Sequence, residues 1–233
     1  MFRFKQFTIR QDRCPMKVGT DGVLLGAWAS TSAADRRVLD IGTGTGLIAL
    51  MLAQRLPGAR IVGVDIDTVE QARENAAASP WGDRLTFRTC AVQTFHDAPF
   101  DLIVSNPPFF VDSLTCPDAG RTAARHAVHL TFGELRDAVL RLLAPAGRFA
   151  LILPVQEAGR FLAVCAGQLQ PVRRTDVRTT PRHPAKRSLL ELMRPEAAAA
   201  VGFERTELII GTGEHECYTP EYRALTRDFY LKF

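Results

Sequence analysis

Short apolar runs alternate with stretches of helical spacing along most of this 233-residue chain. Val38-Leu39-Asp40-Ile41, Arg60-Ile61-Val62-Gly63-Val64, Leu85-Thr86-Phe87-Arg88-Thr89, Phe100-Asp101-Leu102-Ile103-Val104-Ser105 and Arg148-Phe149-Ala150-Leu151-Ile152-Leu153 have strand length. Their apolar, β-branched and aromatic content is the pattern of buried strands. Leu47 to Ala53 opens an apolar helical run, and apolar residues recur at helical spacing at Phe132, Leu135, Val139, Leu142 and Leu143. Thr131 and Glu134 supply the capping box of that second helix, and Pro145-Ala146-Gly147 ends it. A further helix is expected to reach about Gln168, followed by strands over 171–177, 188–194 and 207–210. Glu196 to Ala200 reads as a loop or short helix between late strands. This alternation predicts one mostly parallel sheet with helices on both faces and an antiparallel edge. No internal repeat, low-complexity tail or second domain interrupts it.

The first strand runs into Gly42-Thr43-Gly44-Thr45-Gly46. Glycines at alternate positions let the backbone turn sharply and approach a ligand that a Cβ would exclude. The helix after them offers unpaired N–H groups and a partial positive end. The spacing is G-x-G-x-G, and Leu47 stands where a dinucleotide fingerprint needs its last glycine, which counts against nicotinamide or flavin. No Lys-Ser/Thr follows, so the loop is not a nucleoside-triphosphate loop. The second strand ends in Asp65, placed after the glycines where a carboxylate holds a ribose diol. Asp67 is expected to cap the next helix, with Glu70 completing a capping-box-like pair.

The fourth strand ends in Asn106-Pro107-Pro108-Phe109. The prolines stop the strand, and Pro108 restricts the direction of the Pro107 carbonyl. An exocyclic amine has two hydrogens and a lone pair delocalised into its ring or amide. The Asn106 carboxamide oxygen and a fixed backbone carbonyl can accept those hydrogens and favour a more nucleophilic nitrogen, while Phe109 supplies a face for a flat base. By themselves the four residues are equally a strand ending in a proline turn.

Taken together, Asp40-x-Gly42-x-Gly44-x-Gly46, the acid ending the second strand and Asn106-Pro107-Pro108-Phe109 resemble a class I S-adenosylmethionine-dependent methyltransferase of the amino-group type. Lys17 to Trp28, Ser79-Pro80-Trp81 and Tyr222 to Tyr230 are similar to the bacterial tRNA1(Val) adenine-37 N6-methyltransferase family. The resemblance covers nearly the whole chain. It implies a Rossmann-like, mostly parallel seven-stranded sheet with an antiparallel edge strand, in a single domain over 1–233. Within it, 1–35 would be an N-terminal lid and substrate segment, 36–170 the cofactor-binding core, and 171–233 the late strands and a basic loop. It implies S-adenosylmethionine held by Thr20, Asp21, Gly22, Asp40, Gly42, Gly44, Gly46, Asp65, Ile66, Ala91 and Asn106, with Asn106, Pro107, Pro108 and Phe109 at the reacting nitrogen. Thr20-Asp21-Gly22 would lie over the methionine end of the cofactor. One position departs from the pattern: Ala91, in Cys90-Ala91-Val92-Gln93, stands where relatives carry an acid that reaches the cofactor adenine, leaving backbone amides at Ala91 or Val92 and the Gln93 side chain for that contact.

The implied activity is N6-methylation of a tRNA adenosine in the anticodon loop, position 37 of valine tRNA. Glutamine N5-methylation of a protein and rRNA amino-group methylation are the chemical alternatives; a DNA enzyme would need a target-recognition region, and an inactive scaffold would still bind the cofactor. Phe110, Val111 and Asp112 to Cys116 would close over a substrate, with Arg121, Arg125 and His126 as phosphate contacts or solvated surface.

Composition changes this picture little. Hydrophobic content of 46% and charged content of 23% are ordinary for a globular protein. The apolar runs are too short or interrupted to span a bilayer, and the N-terminus lacks a secretory core, so a cytoplasmic protein without a membrane partner is expected. A monomer is the expected state, and no DNA partner is expected, since little chain remains for a target-recognition region. Five scattered cysteines without a C-x-x-C pair fit reduced thiols, with no metal site. The net charge of +4 is mild, but Arg173, Arg174, Arg178, Arg182, His183, Lys186 and Arg187 crowd one proline-broken stretch that reads as a surface loop for RNA phosphates. Arg3, Lys5, Arg10, Arg13 and Lys17, interleaved with Phe2, Phe4 and Phe7, form a second basic-aromatic patch, against the plainer reading of core phenylalanines under a solvated surface.

Overall fold

A computed structural model describes residues 1–14, 17–107 and 130–233. Its centre is an eight-stranded sheet made of β3 (Arg37–Ile41), β4 (Arg60–Asp65), β5 (Leu85–Thr89), β6 (Phe100–Ser105), β7 (Leu143–Pro154), β8 (Gln170–Arg178), β9 (Arg187–Met193) and β10 (Glu204–Ile209). The spatial order is β10-β8-β9-β7-β6-β3-β4-β5, and only β9 runs against its neighbours. A separate hairpin pairs β1 (Phe2–Arg3) with β2 (Thr8–Ile9).

Chain reversal at β3 explains where the site forms. The strands β3, β4 and β5 progress one way across the sheet, and β6 and β7 lie on the other side of β3. The strand ends on either side of that switch therefore part, and they leave a crevice at the C-terminal edge. Apolar residues alternate between two cores. Val38, Leu102, Val104, Ala150 and Ile152 pack beneath α1 (Thr20–Trp28) and α2 (Leu47–Arg55). Leu39, Ile41, Ile103, Phe149 and Leu151 pack beneath α4 (Phe132–Leu142) and α5 (Val155–Cys165), α3 (Glu70–Ala77) lying beside β5. Each fully buried Leu, Ile or Phe contributes about 1.5–3 kcal/mol.

The expected strands are observed with small shifts at their ends, and the expected capping box is present: Thr131 Oγ1 accepts from the Glu134 N–H while Glu134 accepts from the Thr131 N–H. The alanine-rich stretch is a short helix, α6 (Pro195–Val201), and α7 (Pro220–Thr226) follows β10. Four details differ from the sequence reading. The sheet has eight strands, because β10 adds beyond β8, and the reversed strand β9 lies two places inside the edge, between β7 and β8. A short connection from β8 forces β9 to return antiparallel as a hairpin partner. Asp67 does not cap α3, whose N-cap is Val69. The Asp67 N–H instead donates to Asp65 Oδ1 at 3.0 Å, and Thr68 Oγ1 accepts from Glu70 at 3.4 Å. In the basic stretch, Arg173, Arg174 and Arg178 belong to β8 and Arg187 to β9, so only 179–186 is loop. Arg173 pairs with Glu191, Arg174 with Asp176, Arg178 with Glu207 and Arg187 with Asp21. In the N-terminal patch, Phe4 and Phe7 are buried core, Phe4 lying 6.0 Å from Tyr230 ring to ring.

Candidate active site

The backbone of the glycine loop is fixed before any side chain takes part. Gly42 and Thr43 donate to the Val64 carbonyl at 2.8 and 3.1 Å, which hooks the loop over the end of β4. Gly42, Gly44 and Gly46 have φ of +73°, +53° and +80°, a region that L side chains adopt only with strain. A Cβ built at Gly42 or Gly44 meets nothing within 4 Å, so the loop presents bare backbone to an open space. That space is a cavity of about 300 Å³, lined from four strand ends by Ile41, Gly42, Gly44, Val64, Asp65, Ile66, Ala91, Val92, Gln93, Ser105, Asn106 and Pro107, among others. Its size and its mixture of apolar wall and few polar groups suit a nucleoside-sized ligand.

The polar groups converge on it from different elements. Asp65 Oδ2 accepts from the Gly44 N–H at 2.8 Å and Oδ1 from Asp67, so each carboxylate oxygen holds one amide and keeps a free lone pair. Ile66 is 47% exposed, a large apolar side chain on the cavity wall. The turn after β5 is pinned beneath: the Cys90 N–H donates to the Asp65 carbonyl at 2.7 Å, and Arg141 donates to the carbonyls of Val92 and Phe95. Ser105 Oγ donates to the Ile41 carbonyl at 3.0 Å, clamping the ends of β6 and β3 together just before Asn106. Asn106 Oδ1 is buried and has no hydrogen-bond partner among the described residues. A buried amide oxygen left empty is an acceptor waiting for a donor from the cavity.

Asp40 lies beneath the loop, fully buried at the end of β3 and not on the cavity wall. Its Oδ2 accepts from Thr43 Oγ1 at 2.8 Å, and its Oδ1 has no side-chain hydrogen-bond partner among the described residues. Burial pushes its carboxyl up to about 7, with Asp65 adding to the rise and the Thr43 hydroxyl and Ala49 N–H opposing it.

The structure thus brings Gly42, Gly44, Asp65, Ile66, Ala91, Asn106 and Pro107 to one cavity, with Asp40 and Gly46 supporting the loop. Thr20, Asp21 and Gly22 are not among its lining residues: they begin α1, where Asp21 accepts from Arg187 Nε at 2.8 Å and Gly22 packs against Leu47. Pro108, Phe109, Phe110, Val111, Asp112 to Cys116, Arg121, Arg125 and His126 lie outside the described residues. Cys14, Thr68 and Leu130 line the cavity without having been singled out. Cys14 arrives there because Arg10 and Arg13 donate their backbone N–H groups to Asn75 and Gln71 of α3, a long-range tether that no local pattern announces.

Comparison with known proteins gives a consistent picture. Residues 19–135 match the model of the methyltransferase small domain family. Over its whole length the chain is similar to proteins named tRNA1(Val) (adenine(37)-N6)-methyltransferase. It is 48% identical to that of Bacteroides thetaiotaomicron, over 99% of this chain and 97% of the relative. It is 46% identical to that of Trichodesmium erythraeum, over 100% and 98%. Among solved structures, a predicted O-methyltransferase of Agrobacterium tumefaciens superposes with a TM-score of 0.69 at 19% identity, over 90% of this chain and 96% of that one, which is a likeness of fold.

Proposed function

The chain belongs to the tRNA1(Val) (adenine(37)-N6)-methyltransferase family, and from this we infer that it methylates the exocyclic N6 of adenosine 37 in a valine tRNA with S-adenosylmethionine as donor. The observation that carries the chemistry is the buried, unpartnered Asn106 Oδ1 on the wall of the cavity.

The residues present fit the cofactor. Asp65 keeps one free lone pair on each oxygen, enough for the two hydroxyls of a ribose. Ile66 offers an apolar face to the adenine, and the bare backbone at Gly42 and Gly44 accepts a chain too close for a side chain. Asp40 acts through Thr43 to hold the loop. When bound, S-adenosylmethionine supplies a methyl carbon made electrophilic by its sulfonium.

The work left to the protein is positioning. Asn106 Oδ1 accepts one N6–H of the target adenine and the Pro107 carbonyl accepts the other. Both bonds turn the nitrogen lone pair out of conjugation and hold it towards the donor. They also strengthen as positive charge develops on nitrogen, so they favour the transition state over the ground state. No strong base is needed, because the leaving proton becomes acidic only once the nitrogen carries the methyl group. An anticodon-loop adenine is already single-stranded and needs no unpairing to enter.

The test is incubation with labelled S-adenosylmethionine and, separately, unmodified tRNA or a release factor, followed by digestion of the acceptor. N6-methyladenosine at one anticodon-loop position is the expected product, and it should fall on the order of 100-fold or more in Asn106→Ala. Label in glutamine would overturn the reading, as would an Asn106→Ala protein of undiminished activity.

A further inference from the structure

The strands β8 and β10 stay paired past their ends. The Ile210 N–H donates to the Arg178 carbonyl and the Gly211 N–H to the Thr179 carbonyl, both at 2.9 Å. The two segments then part into two lips. Residues 179–186 form the first, a turn closed by the His183 N–H on the Thr180 carbonyl at 3.2 Å and by a 2.7 Å contact between Thr180 Oγ1 and His183 Nδ1. Arg178 stiffens it from below, donating to the carbonyls of His183 and Pro181. Residues 211–218 form the second, a tight hairpin with an antiparallel bridge between Gly211 and Tyr218 and a left-handed Glu216 at φ +55°. Between the lips lies a cavity of about 410 Å³, lined by Thr179, Thr180, Glu214, His215, Glu216 and Tyr218 among others.

Charge differs between the two lips, although no Arg or Lys among the described residues lines the cavity itself. Arg182 and Lys186 are exposed on the first lip and make no ion pair among the described residues, whereas Arg173, Arg174, Arg178 and Arg187 are engaged by carboxylates. The second lip carries Glu214 and Glu216, the latter 3.3 Å from Lys232. Tyr218 is 38% exposed even though its ring packs on Tyr222 and Phe233. A phosphate is attracted to one side and repelled by the other. An exocyclic amino group has the opposite preference. A nucleotide carries both at its two ends, and the exposed part of Tyr218, which lines the cavity, is a stacking platform.

The position is also right for a long substrate. Because β8 and β10 run parallel to β6, both lips lie at the edge of the sheet that holds Asn106. From β6 to β8 the order is β6, β7, β9, β8, a distance of about 14 Å at the usual strand spacing. A few nucleotides of loop span it.

We propose that this cleft docks the anticodon arm of the tRNA, with backbone phosphates on Arg182 and Lys186 and one unstacked base seated against Tyr218, its amino edge towards Glu214 and Glu216. The assignment rests on the tRNA substrate inferred above. It is tested by measuring tRNA dissociation constants over a salt series for wild type, Arg182→Ala with Lys186→Ala, Tyr218→Ala and Tyr218→Phe, with S-adenosylmethionine affinity by calorimetry on each. The double variant should bind tRNA at least roughly tenfold more weakly and lose about 1.5–2 from the slope of log affinity against log salt. Tyr218→Ala should weaken binding roughly tenfold with the slope kept, and Tyr218→Phe should bind as wild type. Cofactor affinity should be unchanged in all four proteins. Affinity and slope within about twofold of wild type in both the double variant and Tyr218→Ala, with cofactor binding intact, would overturn the cleft. A wild-type protein that neither binds nor methylates tRNA would instead remove the substrate reading and the cleft with it.

Discussion

The Gly44 N–H donates to Asp65 Oδ2 at 2.8 Å, so the acid that ends one strand holds the loop that follows another. The same carboxylate therefore both shapes the glycine loop and presents its remaining lone pairs to the cavity.

This double duty makes Asp65 a sensitive position. Asp65→Ala should weaken S-adenosylmethionine binding roughly 10- to 100-fold, the range expected for lost hydrogen bonds to a charged acceptor. Isothermal titration with the cofactor reads it directly, and an unchanged dissociation constant would show that the ribose is held elsewhere.

Asp40 should make stability depend on pH in the direction opposite to an ordinary paired carboxylate. Its folded value of about 7 lies above the usual carboxylate value of about 4, so between the two the folded protein binds more protons than the unfolded chain. Stability then falls as pH rises through that window, by up to about 1.4 kcal/mol per unit, and levels off above it. Asp40→Asn removes the titration. Its melting temperature should change less than that of wild type between about pH 5 and about pH 8. Identical pH profiles for the two proteins would mean that Asp40 does not gain a proton on folding.

Arg173 separates a structural cation from a docking one. Its guanidinium lies 3.7 Å from the Trp28 ring centroid, donates to the Trp28 carbonyl, and sits 3.5 Å from Glu191, which is buried. Arg173→Met leaves Glu191 with the Ser30 N–H, at 3.0 Å, as its remaining partner among the described residues. The cost should be about 2 kcal/mol, a drop of roughly 4–8 °C in melting temperature, with tRNA affinity and its salt slope unchanged. A loss of tRNA affinity without a change in melting would assign Arg173 to the RNA instead.

The core sheet and its crevice were legible because their signals are local. Apolar runs mark the strands, alternate glycines mark the loop, and an acid or an asparagine directly after a strand marks a residue on the crevice edge. What stayed hidden depends on partners far along the chain. Arg173 and Arg187 read as free basic residues until Glu191 and Asp21 are placed beside them. Edge strand β10 was legible only in its second half, from 207 on, because 204–206 are exposed and polar, which serves an edge but gives little strand signal. Asp67 matched a cap by spacing, yet the helix starts at Glu70 with Val69 as its N-cap, two residues too late for Asp67 to cap it. The lips of the second cavity are turns whose proximity follows only from the pairing of β8 with β10.

The two ends of the described chain are sewn together. Lys5 Nζ donates to the carbonyls of Arg227 and Phe233 at 2.5 and 2.6 Å, and Phe2 and Phe4 pack on Tyr230. A ribosome makes residues 227–233 more than two hundred positions after residues 1–14. The β1–β2 hairpin therefore gains its packing on Tyr230 only late in synthesis, whereas the tether of Arg10 and Arg13 to α3, which seats Cys14 at the cavity, can form as soon as α3 is made.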